Sequence, residues 1–229
     1  MLKREVIAPG DRSLVTIEAI DAALGNGQHP TDDAFDAFLP YDLRVASGTH
    51  WTPLAVAARA ATWLAELDVQ TVVDIGSGAG KFCIAAALAT RCRFVGIEQR
   101  PRLVAAAAEL AHQFHVDDRV TFTTGVVEPS TLPSAEAYYL YNPFGENWLA
   151  PTERLDAEVE LGDDRYVRDI AIVEEVFRRA PKGVYVFTYN GFGGRMPRGY
   201  DQIRVDRTLP NILRLWEKTR NRQSAGASA

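Results

Sequence analysis

The sequence predicts an α/β fold: a three-layer sandwich of helices around a mostly parallel, seven-stranded sheet, with a helical cap at the N-terminal end. Three observations predict it. Short apolar and β-branched runs alternate with segments of helical period from about residue 50 onward. The first of these runs, "TVVDI", passes directly into a glycine-spaced turn and then into a helical pattern. A chain of 229 residues with 47% hydrophobic content can also bury one substantial core.

The elements follow in order. Residues 1–44 form the expected cap. It holds "SLVTIEAIDAAL", stopped by Gly25-Asn26-Gly27, and "TDDAFDAFLP", capped by Thr31 and ended by Pro40. Such a cap either packs near the ligand end of the sheet or is a decorative extension. The main domain is expected over 45–220. Its first helix takes Thr52 as N-cap and Pro53 as first helical residue, with Leu54, Ala57, Ala61 and Leu64 on one face. Then come a strand (Thr71–Ile75), a helix (Lys81–Ala89), a strand (Phe94–Glu98) and a helix (Arg102–Phe114). "RVTFTTG" and "AYYLYN" read as the third and fourth strands, and Asp163–Arg179 as a helix leading to the strand "GVYVFTY". Weaker strand patterns lie at Gln202–Val205 and Ile212–Trp216. The small polar residues of 221–229 read as a flexible tail.

Composition narrows the function. No apolar run approaches the roughly 18 residues of a membrane span, and "MLKREVIAPG" lacks a signal-peptide apolar region. Cys83 and Cys92 lack CxxC spacing and read as reduced thiols, which points to the cytoplasm. A net charge of −5 disfavours a dedicated nucleic-acid binder. Nothing in the sequence decides the oligomeric state.

The loop in "VVDIGSGAGKF" can be tested against known ligand-binding turns. A phosphate-binding P-loop would need glycine at Ile75 and a hydroxyl at Phe82. A dinucleotide fingerprint would need its third glycine at Lys81. The pattern that fits is D-x-G-x-G-x-G, with Asp74, Gly76, Gly78 and Gly80. Gly76 and Gly78 let backbone approach a ligand with no Cβ in the way, and Gly80 eases entry into the helix. About twenty residues further on, the strand "FVGIE" ends in Glu98, where a carboxylate reaches ribose hydroxyls.

On these two motifs the chain resembles the class I, Rossmann-like S-adenosylmethionine-dependent methyltransferases over roughly residues 45–190. The resemblance implies S-adenosylmethionine as cofactor. It places Asp74, Gly76, Ser77, Gly78 and Gly80 in the cofactor loop, with Asp74 fixing the loop or accepting from the cofactor's ammonium group. It gives Glu98 the ribose and Gln99 the adenine edge. An acidic adenine contact is usual after the third strand. Here "TTGVVEPS" sets Val126 and Val127 at that place, as apolar walls for the ring.

The segment "YLYNPFGENW" bears on the acceptor. Methyl transfer is an in-line displacement, so the enzyme must align a nucleophile's lone pair with the carbon–sulfur axis. An asparagine amide oxygen beside a proline-preceding carbonyl can accept both N–H bonds of an amine. Asn142, Pro143 and Phe144 are therefore the candidate catalytic residues, Asn142 also bordering the cofactor, with Tyr141 and Phe144 available to flank the substrate. The segment resembles the Asn-Pro-Pro-aromatic motif of amino-group methyltransferases, with one proline fewer. It is also similar to the Asn-Asn-Phe segment of non-SET histone-lysine methyltransferases. In that family a loop like "ASGTHWTP" covers the cofactor, which adds Gly48 and Thr49 as contacts.

From Glu146 to Asp164 seven acids face Arg154 alone, and such a rim would attract an amine or a basic peptide. A solvated loop explains the acids equally well. Tyr189 and Asn190 in "TYNGFGGRMP" are candidate substrate contacts, and a plain hairpin connection is the alternative. His112 and His115 share a helix face without a third ligand, so no metal is expected. The expected activity is N-methylation of an amine, either a small molecule or a protein side chain. The alternatives are O- or C-methylation of a metabolite, methylation of a nucleic-acid base, and a non-enzymatic cofactor-binding module.

Overall fold

The computed structural model describes residues 6–7, 14–128 and 132–221. The chain divides into two compact units, Met1–Val126 and Val127–Ala229. Between them they carry a seven-stranded, mostly parallel sheet with flanking helices.

The first unit opens with a two-residue antiparallel pair, β1 (Val6–Ile7) and β2 (Leu14–Val15). Helix α1 (Ile17–Gly25) is capped by the Thr16 hydroxyl, which accepts from Ala19 N–H. The Thr31 hydroxyl does the same for Ala34 N–H at the start of α2 (Asp32–Asp36). That helix ends four residues before Pro40, because turn-type bonds from Phe38 and Leu39 replace helical ones. Helix α3 (Tyr41–His50) follows, which places Gly48 and Thr49 in a helix rather than in a loop.

Helix α4 (Leu54–Leu64) starts one residue later than its sequence suggests. Pro53 is its N-cap instead of Thr52, and the Asp32 carboxylate accepts from Leu54 N–H at 2.9 Å. A capping group 22 residues upstream thus replaces the local hydroxyl.

Strands β3 (Thr71–Ile75), β4 (Arg93–Glu98) and β5 (Val120–Thr124) run parallel in the order β5-β4-β3. Helix α5 (Lys81–Ala89) joins β3 to β4, and α6 (Pro101–Gln113) joins β4 to β5. Residues Lys81 to Ala87 of α5 are all buried, because the helix has neighbours in α1 and α4 as well as in β4. The cap also packs through Phe35, whose ring stacks on Phe114 at 4.9 Å.

In the second unit, β6 (Ala137–Tyr141) pairs in parallel with β7 (Tyr185–Tyr189). Between them lie a 3₁₀ turn (Gly145–Trp148) and α7 (Asp163–Arg179). Strand β9 (Leu213–Lys218) pairs antiparallel with β7, and the edge strand β8 (Tyr200–Asp206) pairs antiparallel with β9. The strand after β7 in sequence is therefore not its partner, so the glycine-rich segment that leaves β7 is not a hairpin. It packs on α7, where a Cβ at Gly193 would strike Tyr166 and Ile170. Cys83 and Cys92 are buried thiols outside any disulfide. No helix among the described residues is long and apolar enough to cross a membrane.

Candidate active site

The carboxyl end of β3 is wrapped by the glycine loop. Gly76, Gly78 and Gly80 have φ of 77°, 53° and 78°, a region that side chains disfavour. Gly76 and Ser77 both donate their N–H to the Ile97 carbonyl of β4, at 2.9 and 3.0 Å. Each of the two later glycines also meets a specific neighbour. A Cβ at Gly78 would lie 2.5 Å from Trp51 Cζ3, and one at Gly80 would lie 2.5 Å from Phe122 Cζ and 2.9 Å from Ala107 Cβ. Gly80 thus brings α5 close to β5 and α6. Gly96, within β4, is needed for a related reason, because a Cβ there would strike Phe122 and Ser77 Oγ.

Glu98 ends β4 and is 6% exposed. One of its oxygens accepts from Gly78 N–H at 3.1 Å and the other from Arg100 N–H at 3.0 Å. The acid expected to read ribose is therefore already tied to the glycine loop. Gln99, half-buried, follows it directly. Asp74 lies buried at the end of β3, where it accepts from the Cys83 thiol at 3.4 Å. Burial pushes its carboxyl up to about 7, against the lowering effect of the Cys83 hydrogen bond and with a further raising effect of the Glu98 charge. Burial likewise pushes the Cys83 thiol well up, and the Asp74 charge adds to it. Ser77 Oγ is buried and has no hydrogen-bond partner among the described residues. Thr49 is exposed in the last turn of α3. Val126 is 41% exposed and Val127 8% exposed.

In the second unit β6 ends at Tyr141, and Asn142 turns into the left-handed region with φ 38°. Asn190, just past β7, has φ 55°. These two asparagines stand at the carboxyl ends of paired parallel strands, where Asn142 N–H donates to the Gly191 carbonyl at 3.0 Å. Non-glycine residues with positive φ are uncommon, and asparagine is among the few that tolerate them. The Asn142 carbonyl accepts from Gly145 N–H at 2.9 Å, which leaves it one lone pair. The Asn142 amide lies against Gly145 so closely that a Cβ there would collide with it.

Pro143 is half-buried and Phe144 is 8% exposed. Buried Asn147 holds the following loop, donating from Nδ2 to the Phe144 carbonyl at 2.9 Å and accepting from Gly162 N–H at 2.9 Å. Glu146 accepts from Leu155 N–H at 2.8 Å, so this member of the acidic stretch serves its own loop. Tyr189 is 1% exposed, its hydroxyl accepts from Asn211 N–H at 3.2 Å, and its ring lies 4.9 Å from that of Tyr141. Burial pushes the Tyr141 hydroxyl up, and the neighbouring Tyr189 adds to the effect. Asn190 is exposed. Exposed His112 pairs with Asp117 at 2.9 Å, and the described residues contain no cluster of three groups able to hold a metal.

Residues 68–137 match the family model of a methyltransferase domain. The ribosomal protein L11 methyltransferase of Aliivibrio salmonicida is 30% identical over 105 residues, which are 45% of this chain and 34% of that protein. The chain spans about a third of the length of the curated relatives it matches. In fold, it is similar to an RNA methyltransferase from Salinibacter ruber solved with S-adenosyl-L-homocysteine. There the TM-score is 0.53 at 24% identity, over 76% of this chain and 96% of that one. Cofactor-bound Rv0187 from MTB gives a TM-score of 0.57 at 16% identity, over 90% of each chain.

The chain thus resembles methyltransferases in one segment of its sequence and in its fold.

The Salinibacter ruber structure holds S-adenosyl-L-homocysteine, the product left by S-adenosylmethionine, and the residues of the glycine loop here fit that cofactor. The orphaned Ser77 hydroxyl needs a polar partner, exposed Gly76 presents bare backbone, and the Glu98 carboxylate stands at the strand end. Sequence reasoning passed over Trp51, Gly96, Arg100 and Asn147. Only Gly96 carried a signal, a glycine inside a strand that marks close approach.

Proposed function

We propose that this methyltransferase domain N-methylates an amine, with a protein side chain as the favoured acceptor. S-adenosylmethionine would supply an electrophilic methyl group. Gly76, Ser77, Gly78 and Glu98 would hold it, Asp74 would set the charge beneath the loop, and Gln99, Val126 and Val127 would border the adenine. At the acceptor, the Asn142 amide oxygen and the remaining lone pair of its backbone carbonyl would accept the amine's two N–H bonds. The nitrogen lone pair would then be left for attack. Transfer would form the new C–N bond as the methyl–sulfur bond breaks, with the amine's surplus proton passing to solvent.

The observation that carries this reading is the left-handed turn at Asn142. A strand end held in an uncommon conformation, with a short amide fixed against Gly145, is how a fold positions one polar group. Pro143 limits the backbone beyond it. Buried Phe144 and half-buried Tyr141 offer aromatic surface on either side. The acids exposed between Glu153 and Asp164 favour a cationic acceptor over a phosphate backbone. The name of the L11 relatives favours a protein over a metabolite.

The test is transfer of labelled methyl from S-adenosylmethionine into fractionated lysate, sorted into protein, nucleic acid and metabolite pools. Label in protein, released as N-methylated lysine or an N-methylated amino terminus on hydrolysis, is expected. Label on oxygen or carbon, or in nucleic acid alone, would overturn the amine assignment.

A further inference from the structure

The glycine at 78 is not left open for the cofactor alone. The space its missing side chain would fill is taken by the six-membered ring of Trp51, with Cζ3 at 2.5 Å and Cε3 at 2.7 Å from an ideal Cβ. Trp51 is 7% exposed and its indole N–H donates to the Leu43 carbonyl at 2.8 Å, so both its ring and its polar edge are fixed. Leu43 belongs to α3, and Trp51 is that helix's C-cap, its own N–H donating to the Ser47 carbonyl at 3.0 Å.

The region of α2 and α3 is anchored a second time. The Lys81 ammonium, one residue beyond Gly80, is 2.6 Å from Asp32 and 2.8 Å from Asp36, and it donates to Ser47 Oγ at 3.2 Å. The Lys81 and Asp36 side chains are 1% and 4% exposed, so that pair is shielded from water and weakly screened, while Asp32 reaches Lys81 from a partly exposed position. The segment of α2, α3 and its C-cap Trp51 therefore meets the start of α5 and the glycine loop at two points only a few residues apart. One is charged, at Lys81, and one is aromatic, at Gly78.

We propose that Trp51 is a positioning residue of the cofactor site, whose ring holds the Gly78 turn in its binding conformation. This rests on the S-adenosylmethionine reading of the loop. The loop's curvature at Gly78 is set on one side by the Glu98 carboxylate, which accepts from Gly78 N–H. Trp51 sets it on the other side by van der Waals contact. Removing the ring leaves the peptide free to swing away from the conformation that the cofactor needs. A second aromatic ring at 51 preserves part of the contact.

The experiment compares wild type, Trp51→Phe and Trp51→Ala by calorimetric titration with S-adenosylhomocysteine, together with thermal melting and tryptophan emission. Trp51→Ala is expected to bind at least tenfold more weakly, and Trp51→Phe between the two. Adding S-adenosylhomocysteine to wild type is expected to change the emission. That change should persist in Trp63→Phe, Trp148→Phe and Trp216→Phe and vanish in Trp51→Phe. If Trp51→Ala melts earlier while its folded molecules bind as tightly as wild type, Trp51 is merely structural and the inference is overturned. It is overturned equally if the emission change survives Trp51→Phe intact. If wild type itself does not bind S-adenosylhomocysteine, the cofactor reading fails, and this inference falls with it.

Discussion

The Glu98 carboxylate is shared between two backbone groups, Gly78 N–H on the glycine loop and Arg100 N–H at the mouth of α6. An acid whose expected task was ribose recognition thereby also ties the loop after β3 to the strand β4. Glu98→Ala removes both acceptors, each charge-assisted hydrogen bond being worth roughly 1.5–3 kcal/mol. Cofactor affinity is expected to fall at least tenfold, and the urea midpoint to fall with it. Glu98→Gln, which keeps one acceptor oxygen, should recover stability more than affinity. An alanine variant that is less stable yet binds as tightly when folded would remove Glu98 from the cofactor site.

Asp74 predicts a pH dependence of stability. Its buried carboxyl holds a proton to about pH 7, whereas the ordinary value is 3.8. Between those values the folded state binds more protons than the unfolded one, so Asp74 makes stability fall as pH rises toward 7 and level off above it. Asp74→Asn cannot ionise, and its stability relative to wild type is expected to improve across that window. Urea unfolding from pH 4 to pH 8 measures the difference, and parallel curves for the two proteins would refute the assignment. A positively charged cofactor should favour the ionised carboxylate. Binding near pH 7 should then release protons, seen as a calorimetric heat that depends on the buffer.

Lys81 predicts a stability effect remote from chemistry. Lys81→Met would leave Asp36, itself 3% exposed, without its cation. Burial already raises the Asp36 carboxyl, and the Lys81 charge is the largest opposing influence. Breaking a buried pair from one side costs about 3–5 kcal/mol, whereas replacing both partners by apolar groups is often neutral. Denaturant unfolding is expected to show a large loss in Lys81→Met and substantial recovery in the Lys81→Met, Asp36→Leu double variant. Equal stability of wild type and the single variant would show that the ion pair contributes nothing.

The legible and illegible parts of this chain divide by the range of the interactions that fix them. Helix α7 begins and ends where the periodicity of Asp163–Arg179 places it, and β3 spans the expected Thr71–Ile75. Both are set by local pattern. The α4 boundary moved because its capping acid, Asp32, lies 22 residues away. The glycine loop was legible as a cofactor turn, since alternate glycines after an acid are a local signal. What occupies the space beside Gly78 and Gly80 was not, because Trp51, Phe122 and Ala107 meet them only after folding. Lys81 read as the first residue of its helix, as it is, but its burial as a cation against Asp32 and Asp36 is something no pattern within five residues could reveal. At Asn142 the residue type pointed to the chemistry, but its left-handed backbone and its contact with Gly145 are properties of the folded turn.

That turn supports the last prediction, which separates the Asn142 amide from the backbone that carries it. Alanine at a φ of 38° would add strain to the loss of the amide, so glycine is the cleaner replacement. Asn142→Gly is expected to keep cofactor affinity while turnover falls by about 10², the scale of a lost orienting contact. Gly145→Ala approaches the same amide from outside. Its new methyl group would occupy the place of Asn142 Nδ2, so turnover should fall although no candidate contact has been removed. Asn142→Asp keeps the acceptor oxygens but favours the charged ammonium form of an amine, which has no lone pair for attack. Its activity is expected to be low at neutral pH and to recover partly as pH rises, while Asn142→Gly shows no such specific recovery. If Asn142→Gly and Gly145→Ala both turn over at the wild-type rate, the amide does not orient the acceptor and the chemistry lies elsewhere.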